Sequence, residues 1–168
     1  HDPAVVSVGS SPTALHAGSL GGVTEVRAGV YMFGDLFQAE IGTHGIDDIA
    51  LTVLASVIGR RGPSRVLIDA GGLALSKDRS TERAPRDYGY GLVLDAAGRR
   101  VLGDAVVVQA YQEHGVVELD PSAPTELTIG ERLRIAPNHT CMTAAAHDRY
   151  YVTEGGEVVA VWTRVNGW

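Results

Sequence analysis

One histidine and the only cysteine of the chain stand two residues apart, in Ala136-Pro137-Asn138-His139-Thr140-Cys141-Met142-Thr143. Imidazole is a borderline metal ligand and thiolate a soft one. Together they suit Zn²⁺ better than Mg²⁺ or Ca²⁺, which take oxygen. Along a strand, residues i and i+2 point the same way, so a strand here would let both donors converge on one ion. Two protein ligands are too few for a closed structural site. They leave positions open to water or substrate, as a catalytic metal requires. A plainer reading stands beside this one. A lone cysteine in a strand is commonly a buried small hydrophobe, and a single histidine beside it only a hydrogen-bonded neighbour. The spacing lacks the extra ligand pairs of a strong zinc pattern and leaves both readings open.

A second candidate is Gly9-Ser10-Ser11-Pro12-Thr13. It lies between the strand-like Val5–Val8 and a short helix through Ala14-Leu15-His16-Ala17. Ser11 is the expected N-cap, with Pro12 at the first helical position. Such a turn presents free N–H groups and a positive dipole end and can hold a phosphate, although many ordinary turns read alike. Among the other histidines, His147 beside Asp148 reads as a turn residue, with an outer-shell or third-ligand role as the alternative. His114 reads as structural, and His16 and His44 as exposed. Asp47-Asp48 reads as a solvated turn.

The elements that must position these residues are mostly short strands. Gly18–Gly22 is a glycine-rich hinge. A strand is expected within Val26–Phe33, with Tyr31 and Phe33 on one face, and a short helical turn within Gly34–Glu40. Ile49–Ile58 mixes helical spacing with β-branched content. The strand is preferred, because Arg65–Gly71 then pairs with it across Arg60-Arg61-Gly62-Pro63. Ala74–Asp87 is polar and Arg-rich, which predicts an exposed loop, with Arg79–Arg86 a solvated or subunit-contact face. Tyr88–Leu94 should turn at Ala97-Gly98 and return through Val101. Ala105–Tyr111 should turn at Glu113-His114-Gly115 into Val116–Leu119. Tyr150–Val152 should turn at Glu154-Gly155-Gly156-Glu157 into Val158–Trp162. Many short strands with glycine-bearing turns predict a mainly β fold, a β-sandwich or β-barrel-like domain.

With 168 residues and 45% hydrophobic content, the chain is large enough for a real core. A net charge of −6 with no Lys/Arg run argues against nucleic acid as a partner. No apolar stretch is long enough for a membrane helix, and no signal peptide is visible at the start as given. One cysteine cannot form an internal disulfide, which fits a reducing, cytoplasmic setting. The opening His1-Asp2-Pro3 runs straight into a strand-like segment, as expected of a piece of a longer protein.

Four segments in order resemble one family: Val6–Thr13, Thr24–Asp35, Leu67–Asp78, and Pro137–Val152 followed by the Gly-Gly-Glu hairpin. They are similar to the C-terminal part of the D-serine dehydratase and D-threonine aldolase family, pyridoxal-phosphate enzymes built like alanine racemase. The resemblance covers essentially the whole chain. It implies the end of a TIM-type (β/α)8 barrel over residues 1–22 and a C-terminal β domain over residues 23–168. It implies a divalent metal, zinc or another such as manganese, on His139 and Cys141. Cys141 leans to the dehydratase type, since the aldolases tend to carry a carboxylate there.

The same resemblance assigns the phosphate turn of pyridoxal phosphate to Gly9, Ser10, Ser11 and Thr13, with Ser11 where the family has Thr. It sets Tyr31 and Asp35 near the cofactor. The implied reaction is β-elimination from a D-3-hydroxy amino acid to a keto acid and ammonia, with the metal acting on the β-hydroxyl. The alternatives are retro-aldol cleavage at the same site, or a non-catalytic β module. The implied partners are the D-amino-acid substrate, the N-terminal barrel segment and a second copy in a homodimer. The family's Schiff-base lysine lies early in the barrel. Lys77 is the only lysine in this chain and sits in the β-domain segment, so no catalytic residue is assigned within it.

Overall fold

The computed structural model describes residues 3–122 and 126–165. His1 and Asp2, on which part of the reading of the chain's opening rests, lie outside them. Strand β1 (Ser7–Gly9) and β2 (Glu25–Arg27) pair in parallel across helix α1 (Ser11–His16). This is a strand–helix–strand unit of the kind that parallel sheets are built from. β1 begins two residues later than expected, and Val5 is exposed. Ser10, not Ser11, occupies the N-cap, because the first i→i−4 bond runs from Ala14 N–H to the Ser10 carbonyl.

The strand expected up to Phe33 stops at Arg27. Val30–Met32 is a 3-10 turn closed by Phe33 and Gly34 N–H donating to the Val30 carbonyl. Tyr31 and Phe33 therefore do not share a strand face. Tyr31 is exposed, whereas Phe33 packs on Tyr150 with ring centroids 5.2 Å apart. The helical turn expected next is present as α2 (Leu36–Glu40).

The main body is a closed antiparallel barrel. Its strands are β3 (Val53–Arg60), β4 (Arg65–Ile68), β5 (Gly91–Asp95), β6 (Val106–Ala110), β7 (Gly115–Glu118) and β8 (Arg132–Pro137). They close in the order β3-β4-β7-β6-β5-β8. Closure leaves no open edge. In β3, Val53, Ala55 and Val57 face inward while Leu54 and Ile58 face out, so period-2 alternation settles the ambiguous Ile49–Ile58 run as a strand. With Val66, Ile68, Val93, Val107, Val117, Leu133 and Ile135 these fill the interior.

A second cluster joins Leu36 of α2 to Leu92, Leu94 and Ala136 on the outside of β5 and β8. It fixes α2 against the end of β8. The return of the 88–94 hairpin differs from expectation. Val101 lies in a turn, and β6 supplies the partner, in register at Leu92 and Val106. β9 (Arg149–Glu154) and β10 (Glu157–Thr163) form the expected hairpin as a separate two-stranded sheet.

Two further expectations are corrected. Ala74–Asp87 is an exposed loop only in part: Lys77, Glu82, Arg83, Pro85 and Asp87 are exposed. It begins in helix α3 (Gly72–Leu75), and Leu75, Ser76 and Thr81 are buried. Thr81 enters the interior because its N–H and hydroxyl are both taken by Asn138. The His139–Cys141 tripeptide is not on a strand either. β8 ends at Pro137, His139 is the N-cap of helix α4 (Thr140–Ala145), and Cys141 lies in that helix's first turn. Strand alternation does not relate the two side chains. Among the described residues, no helix is long and apolar enough to cross a membrane.

Candidate metal and cofactor site

His139 and Cys141 emerge from the junction of β8 and α4, which is pinned from two sides. On one side, Thr140 N–H donates to Asp35 Oδ2 at 3.1 Å, and Thr140 Oγ1 donates to the Gly34 carbonyl at 2.5 Å. Asp35 is buried. Its other oxygen caps α2 by accepting from Gln38 N–H at 2.8 Å. One carboxylate thus starts two helices, satisfying N–H groups that have no intrahelical acceptor. On the other side, Thr143 Oγ1 donates to the Leu75 carbonyl at 2.9 Å, tying α4 to α3.

The residue after α3, Ser76, opens the segment that reaches His139. Asp78 Oδ2 lies 2.5 Å from His139 Nδ1, and Ser80 Oγ donates to Asp78 Oδ1 at 2.8 Å. Burial works to raise the Asp78 carboxyl, but the hydrogen bonds from His139 and Ser80 outweigh it and hold it below the usual carboxylate range. Only Nδ1 of His139 has a hydrogen-bond partner among the described residues. An imidazole held at one nitrogen by a carboxylate is the usual outer arrangement of a histidine ligand.

Cys141 is an exposed free thiol. Partial desolvation, then the negative charges of Asp35 and Asp78, push its pKa up. Two carboxylates beside a thiol favour a cation, and a bound divalent ion deprotonates a coordinating thiol. The donor set therefore fits zinc. Among the described residues, no three His, Cys, Asp or Glu side chains gather closely enough to hold an ion. His139 and Cys141 would hold it with positions left open.

The turn after β1 is the one the resemblance assigns to a phosphate. Ser10 makes no side-chain cap bond, and Pro12 lies in the first turn of α1. Ser11 and Tyr31 line one depression of about 280 Å³, together with Val30, Gln38, Thr43 and His44. Gly9 lies in β1, and Thr13 is exposed on α1. Asp35 connects the depression to the α4 N-terminus: its N–H faces His44 Nε2, on the wall of the depression, at 3.4 Å, while its carboxylate holds Thr140.

His147 Nε2 donates to the Ala74 carbonyl (3.0 Å), and Asp148 pairs with Arg149, so these two serve the turn before β9. His44 is half-buried rather than exposed. Sequence reasoning missed Asp78, Ser80 and Asn138. Asp78 closes the third segment that carried the family resemblance, and that was its one visible signal.

A family model described as a putative serine dehydratase domain matches residues 50–153. A D-threo-3-hydroxyaspartate dehydratase from Delftia sp. (strain HT23) is 46% identical over 98% of this chain and 44% of its own length. Its solved structure superposes with a TM-score of 0.87 over 98% of this chain and 45% of that one. That enzyme has also been solved with a histidine and with a cysteine two positions later replaced by alanine, the cysteine variant in a metal-free form. A D-serine dehydratase from Schizosaccharomyces pombe is 34% identical over 97% of this chain and 40% of its own length. A D-threonine aldolase from Arthrobacter sp. is 29% identical over 94% and 38%. The chain spans less than half the length of each of these relatives.

Proposed function

The chain belongs to the putative serine dehydratase domain family, and on that premise we propose that it is the metal-binding C-terminal part of a pyridoxal-phosphate-dependent D-amino-acid lyase, a D-3-hydroxy-amino-acid dehydratase. The carrying observation is the pair His139 and Cys141 at the N-terminus of α4, with His139 Nδ1 already held by Asp78. The spacing matches the alanine-substituted histidine and cysteine of the Delftia enzyme. The higher identity to dehydratases than to the aldolase supports β-elimination over retro-aldol cleavage, and the thiolate ligand agrees with it.

When bound, zinc supplies Lewis acidity toward the β-hydroxyl of the substrate, and pyridoxal phosphate supplies an electron sink for the α-carbon. The chain's own residues bind and orient. His139 and Cys141 hold the ion, and Asp35 fixes the helix turn that carries them. Gly9, Ser10, Ser11 and Thr13 would receive the cofactor phosphate, and Tyr31 would flank it across the shared depression. We assign residues 1–22 to the end of a barrel and 23–168 to the β domain. The parallel β1–α1–β2 unit supports the barrel assignment and continues it to Arg27. The N-terminal barrel segment and a second copy are the proposed protein partners. Exposed Tyr151, Val161 and Trp162 on the β9–β10 hairpin support a contact with further protein.

The test is elemental analysis of untagged protein, wild type against His139→Ala and Cys141→Ser. The expected result is zinc near one per chain in the wild type and its loss in both variants. A folded wild type that takes up no zinc overturns the metal reading. Keto-acid release from D-serine and D-threo-3-hydroxyaspartate by the complete enzyme then tests the reaction.

A further inference from the structure

We propose that Asp78 is a positioning residue that fixes the tautomer of His139, leaving Nε2 as the nitrogen with a lone pair for a ligand. The inference rests on the reading of His139 as a metal ligand. An ionised carboxylate only accepts hydrogen bonds. With Asp78 Oδ2 2.5 Å from Nδ1, the proton of a neutral ring must sit on Nδ1. The ring nitrogen that a histidine offers is set by the hydrogen bond the other one makes.

Asp78 is itself fixed by two contacts of its own segment. Ser80 Oγ donates to Oδ1 at 2.8 Å, which leaves Oδ2 for the ring. Ser80 Oγ also lies 3.5 Å from Nδ1, a full ångström farther than the carboxylate, so it does not compete for that nitrogen. The Asp78 N–H donates to Ser76 Oγ at 3.2 Å. Ser76 is the one non-glycine residue with positive φ among the described residues, at φ 69° and ψ 175°. That region is strained for a residue with a side chain, and such strain persists only where surrounding structure enforces it.

The enforcing structure is shared with the helix that bears Cys141. Thr143 Oγ1 takes the Leu75 carbonyl, and His147 Nε2 takes the Ala74 carbonyl. The Asp78 platform and the His139–Cys141 turn are therefore tied to each other. A carboxylate whose only task was to anchor a loop would need neither the strained Ser76 nor the ring nitrogen. The wrong tautomer would present an N–H where the ion needs a lone pair.

The test uses the metal-free chain labelled with ¹⁵N-histidine, at a pH where the ring is neutral. Long-range ¹H–¹⁵N spectra report which nitrogen carries the proton. The wild type should show His139 protonated on Nδ1. Asp78→Asn, whose amide can donate, should shift the ring toward the Nε2-protonated form, and Asp78→Glu should restore the wild-type pattern. Co²⁺ titrated as a visible probe should bind Asp78→Asn roughly 10- to 100-fold more weakly than wild type. Ser80→Ala, a milder change, should move both readouts in the same direction and keeps the test alive if Asp78→Asn does not fold. A wild type protonated on Nε2, or a tautomer unchanged in Asp78→Asn, overturns the proposal. A tautomer that follows Asp78 while the wild type binds no Co²⁺ overturns the metal reading, and with it the purpose assigned to Asp78, and leaves its hold on the ring standing.

Discussion

Asp35 Oδ2 accepts the N–H of Thr140 at 3.1 Å across 105 residues of chain, while Oδ1 accepts the N–H of Gln38 at 2.8 Å. The carboxylate is buried, so both donors lose their only partner if it is removed. Asp35→Ala should therefore lower stability by about 2–4 kcal/mol, combining a lost cap with a buried unsatisfied N–H. Asp35→Asn keeps one acceptor and should cost about half as much. Urea unfolding measures both, and equal losses would show that the acceptor kept by asparagine contributes nothing.

Asn138 should act as the lock on the 74–87 segment. Its Nδ2 donates to Thr81 Oγ1 and to the Gly89 carbonyl, each at 2.7 Å, and its Oδ1 accepts Thr81 N–H at 3.2 Å. Asn138→Ala strips all three from a buried cluster and should ease local opening of this segment by about 2 kcal/mol, roughly 30-fold in the open population. Arg79, Arg83 and Arg86 then become trypsin sites. Timed digestion with mass spectrometry should show early cuts there in the variant and slow ones in the wild type.

These two residues also mark how far the sequence could be read. The barrel strands were legible because alternation survives in each one, as Val53, Ala55 and Val57 show against Leu54 and Ile58. The His139–Cys141 pair was legible as chemistry, but its backbone was not. Nothing local to Pro137–Cys141 marks a helix start, because the group that starts it is Asp35, over a hundred residues earlier. The 74–87 segment read as solvent-exposed for the same reason. Thr81 and Asp78 face Asn138 and His139, while Lys77, Glu82 and Arg83 stay exposed, and a partner distant in sequence leaves no periodic trace. The turn at Val30–Met32 defeated a strand reading because a carbonyl shared by two N–H groups, not side-chain pattern, decides it.

Acid sensitivity should trace in part to Asp95. Burial raises its pKa, but the backbone and guanidinium of Arg99 lower it further, so the folded value lies below the ordinary one. A carboxylate depressed on folding stabilises the native state above its unfolded pKa, and that contribution is lost as pH falls through the folded value. Asp95→Asn should thus cost about 1 kcal/mol at pH 7 and flatten the fall in stability below about pH 4. Thermal unfolding across pH 2.5 to 7 checks this, and parallel curves for the two proteins would count against it.

Gly89 and Gly155 separate backbone strain from crowding. Their φ values are nearly equal, 56° and 58°, so an alanine meets the same left-handed conformation at both. At Gly155, in the β9–β10 turn, a Cβ meets nothing within 4 Å. At Gly89 it would collide with the Val107 carbonyl, and the Gly89 carbonyl also accepts the Asn138 amide. Gly155→Ala should therefore cost about 1–2 kcal/mol, the conformational penalty alone. Gly89→Ala carries that penalty plus displacement of β6 from the barrel wall, and should exceed about 4 kcal/mol or leave no folded protein. Paired chemical unfolding of the two variants reads the difference directly. Similar losses would mean that the barrel wall yields at Val107, in which case the hold of Asn138 on the Gly89 carbonyl, and through it on Thr81, would loosen with it.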